Sequence, residues 1–192
     1  MAQVKVLAFA GSLRRDSYNK KMVAVAASAA RAAGAEVTIL DLATLPMPIF
    51  DEDLEAREGV HANAMKLKEL MKSHHAFLIS SPEYNSSISA ALKNAIDWAS
   101  RPVQGEPALA AFAGKVVGLM AASPGALGGL RGLVHLRAIL GNIQSLLIPD
   151  QFALNMAHEA FDEQGRLKDE KKRQIVEGIG RKVVQVASKL NG

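Results

Sequence analysis

Cysteine is absent from this 192-residue chain, which excludes disulfides, thiolate metal sites and thiol redox chemistry together. Aromatic residues are scarce, at 5%, and they do not interleave with cations. Charge of one sign is scarce as well: 23 basic and 19 acidic residues leave a formal net charge of +4. No block of like charge exceeds Lys171-Lys172-Arg173. A nucleic-acid interface has little to build on, whereas a mild cationic excess suits small anions such as phosphorylated cofactors. Long apolar runs are missing too, none nearing the roughly 18 residues of a membrane span. Met1-Ala2-Gln3-Val4-Lys5-Val6 enters a strand with no signal-like segment before it. The expectation is a cytoplasmic protein that meets neither membrane nor nucleic acid. What is present is a globular composition, 49% hydrophobic and 22% charged, with enough chain for a substantial core. With no internal repeat or low-complexity tract, residues 1–192 read as one domain.

Apolar runs and helical periods alternate along the chain. Val4–Phe9 is apolar except for Lys5, as expected of a strand buried on both faces of a parallel sheet. A helix from about Lys20 to Ala33 follows, with Met22, Ala26, Ala29, Ala30 and Ala33 at three- and four-residue spacings and Gly34 as its stop. Glu36–Asp41 is a second strand, His61–Ser73 a helix and Ala76–Ser81 a third strand. Ser89–Ser100 is a helix capped by a serine and ended by Arg101-Pro102. Lys115–Ala122 is a fourth strand, followed by a helix that stops at Gly141-Asn142, and Ser145–Ile148 is a short fifth. The last helix shows Ile175, Ile179, Val183, Val186 and Leu190 in period. Five strands alternating with five helices predict an α/β fold, a doubly wound parallel sheet. Ala43 to Gly59, with apolar Leu45-Pro46-Met47-Pro48-Ile49-Phe50 and acidic Asp51-Glu52-Asp53-Leu54-Glu55, is either a solvated connector or a cover for a neighbouring subunit or a site rim.

In such a sheet, ligands bind outside the carboxyl ends of the strands, at the switch in strand order. The loops after strands one, three and four lie at that end, and they are the unusual ones. Gly11-Ser12-Leu13-Arg14-Arg15-Asp16-Ser17-Tyr18-Asn19 joins a strand to a helix and carries hydroxyl, amide and guanidinium groups. It suits phosphate, since loop N–H groups and the helix dipole converge there and arginine matches phosphate oxygens. The plainer alternative is a solvated loop in which Asp16 or Ser17 caps the helix. Pro82-Glu83-Tyr84-Asn85 offers a fixed backbone, an aromatic ring and main-chain polar groups to the rim of a flat ring such as a flavin. Ser123-Pro124-Gly125-Ala126-Leu127-Gly128-Gly129 offers glycines where a side chain would collide with a ligand. With strand order 2-1-3-4-5, the flavodoxin-like order, loops one and three flank the switch point.

Other phosphate chemistries lack their residues. There is neither a G-x-x-x-x-G-K-[ST] motif nor a G-x-G-x-x-G after the first strand. Asp41 is therefore a turn residue with no ribose to serve. The five histidines show no metal-ligand spacing with carboxylates, so no metal site is expected. Arg137 shares a helix face with Leu133, Val134 and Leu140. It either reaches water or pairs with an acid across a subunit interface. Arg101 is a candidate contact for nucleotide phosphates.

The chain resembles the NADPH-dependent FMN reductase family, whose bacterial members include chromate, quinone and azo-dye reductases. The likeness rests on Gly11-Ser12-Leu13-Arg14 with Ser17 and Asn19, on Pro82-Glu83-Tyr84-Asn85, on Leu92-Lys93-Asn94-Ala95-Ile96-Asp97-Trp98, and on Ser123-Pro124-Gly125 with Gly128-Gly129. It implies that Ser12, Arg14, Ser17 and Asn19 hold an FMN phosphate. It also implies that Pro82, Glu83, Tyr84 and Asn85 line the isoalloxazine, with Ser123 and Gly125 closing the far side. The implied activity is hydride transfer from NADPH, or NADH, to FMN and then, in ping-pong fashion, to a small acceptor such as a quinone, flavin, azo dye or metal oxyanion. No catalytic side chain is expected, because the cofactor does the chemistry. The implied assembly is a homodimer or homotetramer. The alternative within flavoproteins is a flavodoxin-type electron carrier that binds redox partner proteins.

Overall fold

A computed structural model describes residues 3–191. Met1, Ala2 and Gly192, the ends of the expected 1–192 domain, lie outside the described residues. The chain order is β1 (Lys5–Ala10), α1 (Tyr18–Ala32), β2 (Glu36–Leu40), α2 (Glu52–Glu58), α3 (Ala62–Lys72), β3 (Ala76–Ser80), β4 (Glu83–Tyr84), β5 (Ser87–Ile88), α4 (Ala90–Ala99), β6 (Val116–Ala122), α5 (Leu130–Asn142), β7 (Leu146–Leu154), α6 (Ala157–Ala160) and α7 (Glu170–Leu190). The main sheet has the order β2-β1-β3-β6-β7, with parallel pairing throughout. This is the doubly wound, flavodoxin-like 2-1-3-4-5 order, since β6 and β7 are the fourth and fifth parallel strands.

Strand alternation divides the core into two layers. Val6, Ala8, Leu78 and Met120 face one side, where α1 and α7 pack. Leu7, Phe9, Phe77, Ile79 and Leu119 face the other, against α3, α4 and α5. On the first side small residues set the spacing. A Cβ added at Gly180 would lie 2.2 Å from the Ala26 carbonyl oxygen, and one at Gly118 would lie 2.7 Å from a Val183 methyl. Helix α7 can therefore approach α1 and the sheet only because these two positions have no side chain.

Several boundaries differ from the sequence expectation, each for a local reason. Helix α1 starts at Tyr18, because the Ser17 hydroxyl accepts the Asn19 N–H and caps it there. The acidic stretch is a helix, α2, because the Asp51 carboxylate accepts the N–H groups of Asp53 and Leu54 and acidic residues fill its first turn. Strand β7 runs past Pro149 to Leu154, with a register irregularity opposite Val117–Leu119; an edge strand tolerates proline and bulges. Helix α5 continues through Gly141, and the left-handed residue beyond it is Gln144. In α7 the buried stripe is Val176, Ile179, Gly180, Val183, Val184 and Ala187. Ile175 and Leu190 are exposed, because the apolar period admitted two registers and packing against small residues selected one.

Arg137 finds its partners within the chain. Its Nε donates to Gln151 Oε1 at 3.1 Å and its Nη2 to the Ile148 carbonyl at 3.0 Å, while Val134 on the same helix is exposed. Within the chain its partners are thus neutral acceptors on either side of Pro149.

Candidate functional site: a cleft at the carboxyl ends of β1, β3 and β6

The first loop is bound to its surroundings through main-chain contacts. Gly11 N–H donates to the Ser80 carbonyl at 2.9 Å, and the Ser89 hydroxyl donates to the Gly11 carbonyl while accepting the Leu92 N–H as the cap of α4. Gly11 has no room for a side chain, since an added Cβ would come within 2.8 Å of Leu92. Beyond it, the N–H groups of Leu13, Arg15, Asp16 and Ser17 donate to no acceptor among the described residues. Arg14 is exposed and has no carboxylate partner among them. Arg15 instead leans on its neighbour Asp16, at 3.4 Å. Unsatisfied N–H groups, one unpaired guanidinium and a helix N-terminus in one place suit an anion.

Asn19 does something the sequence did not announce. Its side chain is buried and bridges three elements: Nδ2 donates to the Ala122 carbonyl at 2.9 Å, and Oδ1 accepts the Ala122 N–H at 2.9 Å and the Ser80 hydroxyl at 2.8 Å. It thereby ties the start of α1 to the ends of β3 and β6, and both lone pairs of Oδ1 are occupied.

The second loop is a hairpin, β4 paired with β5, Glu83 opposite Ile88 and Tyr84 opposite Ser87. Asn85 and Ser86 form its two-residue turn, with φ of 49° and 67°. Positive φ at both central residues matches the twist of a tight hairpin. The turn holds Tyr84 53% exposed at the cleft. The Glu83 carboxylate faces away along the hairpin, accepting the Gly132 N–H at 2.9 Å and pairing with Arg131 at 3.0 Å. It fixes the hairpin to the first turn of α5, so its side chain positions the ledge and only its main chain is left for a ring.

In the third loop the Ser123 hydroxyl accepts the Gly125 N–H at 3.2 Å. An added Cβ at Gly125 would meet only Ser123 Oγ, at 3.6 Å, so that glycine leaves open space. Gly128 and Gly129 are different. Both have positive φ, and a Cβ would strike Asn155 N and the Ala121 Cβ respectively, each at 2.7 Å. Their missing side chains serve the chain's own packing.

One cleft gathers these loops. Ser12, Arg14, Ser17, Asn19, Pro82, Glu83, Tyr84 and Ser123 all line it. Asn85 and Gly125 lie at the loops beside it but outside the lining. Tyr18, Ala122 and Pro124 also line it and were not singled out in the sequence. Tyr18 stands between the polar residues Ser17 and Asn19, and Ala122 carries no chemical signal at all. Tyr18 stacks on Phe161, with ring centroids 6.3 Å apart, which fixes the wall beside the phosphate loop.

Residues considered for other roles are committed elsewhere. Arg101 Nε donates to both Glu55 carboxylate oxygens, at 2.9 and 2.8 Å, and its guanidinium lies over Phe50. It is not free for nucleotide phosphates. Asp41 caps the short 3-10 turn at Leu42–Thr44 and pairs with Lys20 at 2.7 Å. His61 caps α3, His74 reaches Thr38, His135 meets Ser87, and His75 Nδ1 accepts the Lys5 N–H. No group of metal-ligating side chains gathers among the described residues. Burial, with the cations of Lys115, Lys5 and His74 nearby, holds the His75 imidazole below its ordinary value. His75, Lys115 and Lys5 stand at the amino ends of their strands, the end away from the cleft.

Residues 4–159 match the family model described as NADPH-dependent FMN reductase. The chain belongs to this family. The matched span contains every residue that lines the cleft and leaves out α7, which serves the core. The chain is 36% identical over 181 residues to an NAD(P)H-dependent FMN reductase of Pseudomonas aeruginosa, covering 91% of this chain and 90% of that one. It is 33% identical over 194 residues to an NAD(P)H:quinone oxidoreductase of Solanum tuberosum, covering 98% and 95%. Among solved structures it resembles FerB, a flavoenzyme NAD(P)H:(acceptor) oxidoreductase from Paracoccus denitrificans. The TM-score is 0.82 at 28% identity, over 97% of this chain and 98% of that one. Family and fold therefore agree with the resemblance carried by the four motifs.

Proposed function

We propose that the chain is an FMN-dependent NAD(P)H oxidoreductase, a single cytoplasmic domain that reduces small acceptors such as quinones or flavins and assembles as a homodimer or homotetramer. One observation carries the cofactor reading. The phosphate-type donor set of the first loop and the exposed Tyr84 ledge open into the same cleft, in a chain of this family. Arg14 and the free N–H groups of Leu13, Arg15, Asp16 and Ser17 would hold the phosphate, with Ser12 and Ser17 beside them. Pro82, the main chain of Glu83, Tyr84 and Asn85 would lie along the ring, and Ser123 and Gly125 would leave its far side open. Asn19 and the Glu83 carboxylate position these groups without needing to touch the cofactor. When bound, FMN supplies two-electron chemistry, accepting a hydride from the nicotinamide and returning reducing equivalents to the second substrate. The chain's own work is to bind, orient and polarise, and no side chain in the cleft is required as acid or base.

The test is FMN titration followed by steady-state oxidation of NADPH and NADH against a panel of quinones, flavins and azo dyes. The expected result is a yellow protein that consumes nicotinamide with parallel double-reciprocal lines. Arg14→Ala should weaken FMN binding roughly tenfold or more, the worth of one charge-assisted hydrogen bond. A protein that FMN cannot reconstitute would overturn the reading. A yellow protein inert to both nicotinamides would favour an electron carrier instead.

A further inference from the structure

Folding gathers onto one side of the molecule a charge that the sequence spreads along its length. Helix α1 and residues 162–191, which pack on the same side of the sheet, hold 11 basic and 5 acidic side chains, against 12 and 14 in the rest. The whole cationic excess therefore belongs to the α1–α7 side. Most of the acids there are already committed. Asp162 pairs with Arg166, Glu170 with Arg173, and Glu177 with Arg173 and Arg181, while Asp169 accepts the Lys172 N–H as the cap of α7. Lys168, Lys171, Lys172, Lys182 and Lys189 have no ion-pair partner among the described residues. Lys21 and Arg31 of α1 add to them, again without a carboxylate partner among those residues.

Helix geometry orders these cations. Lys171, Ile175, Gly178, Lys182, Gln185 and Lys189 follow four- and three-residue steps, opposite the buried stripe of Val176, Ile179, Val183 and Ala187. This outward line runs roughly 27 Å along α7 and contains no acid. Ile175 within it is 48% exposed. Beside the first half of α7 there is also a mainly apolar hollow of about 320 Å³, whose walls include Ala24, Val25 and Leu167. A nucleic acid would call on arginines and aromatic rings, but Arg166, Arg173 and Arg181 are paired and no ring stands in the line. A purely acidic peptide accounts for the lysines and leaves Ile175 and the hollow without a role. A lipid surface uses all three, since lysine stems lie along apolar material while their ammonium groups meet anionic headgroups.

We propose that the α1–α7 side is a peripheral docking surface for an anionic lipid bilayer, with the lysine line on the headgroups and Ile175 at the edge of the acyl layer. No helix among the described residues is long and apolar enough to cross a membrane, so the contact is superficial and reversible. The sequence expectation of no membrane contact rests on unclustered charge, and the fold supplies the cluster. The start of α7 lies on the cleft side: Leu167 bridges Phe161, whose ring stacks on Tyr18 of the cleft wall. A docked chain therefore has its cleft wall beside the headgroups, within reach of acceptors dissolved in the lipid. That consequence rests on the flavin reading; the docking itself does not.

The test is co-sedimentation of the full chain with vesicles of phosphatidylglycerol and phosphatidylcholine, beside vesicles of phosphatidylcholine alone. At about 0.05 M salt only the anionic vesicles should carry the protein down, and about 0.5 M salt should release most of it. The triple variant Lys171→Gln, Lys182→Gln, Lys189→Gln should bind roughly fivefold more weakly per lysine, so more than about tenfold in all. The triple variant Arg57→Gln, Lys66→Gln, Lys93→Gln removes the same formal charge from the other side and should stay within about twofold of wild type. All six side chains are exposed, so both triples should fold and turn over soluble acceptors as the wild type does. Ile175→Asn should lower the binding that survives at high salt. Absence of binding to anionic vesicles at low salt, or equal loss in the two triples, would overturn the proposal. So would binding of poly-glutamate or duplex DNA as tight as that of the vesicles and indifferent to Ile175→Asn, which would give the stripe to a charged polymer.

Discussion

Asn19 is the residue on which the cleft depends most for its shape. Replacing it with alanine would strand the Ala122 N–H and carbonyl and the Ser80 hydroxyl in a buried place, where each unpaired group is costly. Asn19→Ala should cost about 3 kcal/mol and lower the melting temperature by roughly 6–12 °C in a calorimetric scan. Ser17→Ala removes only a helix cap and should cost about 1 kcal/mol. Equal losses in the two variants would count against the bridging role. His75 sets a pH dependence of the opposite end. Its folded value lies below the ordinary 6.5, so below that pH the unfolded chain takes up a proton that the folded imidazole resists. Its contribution is complete above 6.5 and declines as pH falls through the depressed folded value. Protonation would also remove the acceptor from the Lys5 N–H. Chemical denaturation at a series of pH values should show this loss, and His75→Gln should flatten the curve between neutral and mildly acidic pH.

At the scale of elements, α7 shows how contact and propensity compete. Gly178 has nothing within 4 Å of an added Cβ, whereas at Gly180 that atom would be 2.2 Å from the Ala26 oxygen. Gly178→Ala should stabilise by about 0.5–1 kcal/mol through helix propensity alone. Gly180→Ala should destabilise by roughly 1–3 kcal/mol or more, because α1 and α7 must separate along their contact. Urea midpoints of the two variants should move in opposite directions. The same competition explains why the buried stripe differs from the one the apolar period predicts. Ile175 and Leu190 fit a helical period as well as Val176 and Ala187 do, and only the position of Ala26 and Ala30 opposite Gly180 decides which stripe is buried. The Glu83–Gly132 bond is a similar case. The sequence offers the main chain of Glu83 to a ring, and only the α5 N-terminus beside it shows where its carboxylate goes.

At the scale of the whole molecule, the parallel sheet brings three loops, distant in sequence, to one edge, and the formal charge of +4 acts on whatever approaches them. The KM for NADPH should rise severalfold between about 0.05 and 0.5 M salt, as screening shortens the reach of that charge to a few ångströms. The kcat should stay nearly constant. A KM insensitive to salt would remove long-range attraction from the account.

The strand order, the cleft edge and most of the cleft lining were legible in the chain itself. Burial on both faces makes a parallel strand a continuous apolar run, and the chirality of crossover connections leaves few topologies to choose from. Gly11 to Asn19, Pro82 to Asn85 and Ser123 to Gly129 carry hydroxyl, amide and glycine residues directly after apolar strands, at the edge where such sheets bind ligands. What only the tertiary structure decided was the division of labour within those loops. Asn19 and the Glu83 carboxylate are turned to internal partners, Gly128 and Gly129 make room for the chain itself, and Arg14, unlike Arg101, is left without a counter-ion among the described residues. A sequence records which groups can form hydrogen bonds and ion pairs. Which of them are already satisfied depends on neighbours as far as 103 residues away, and those are fixed only when the chain has folded.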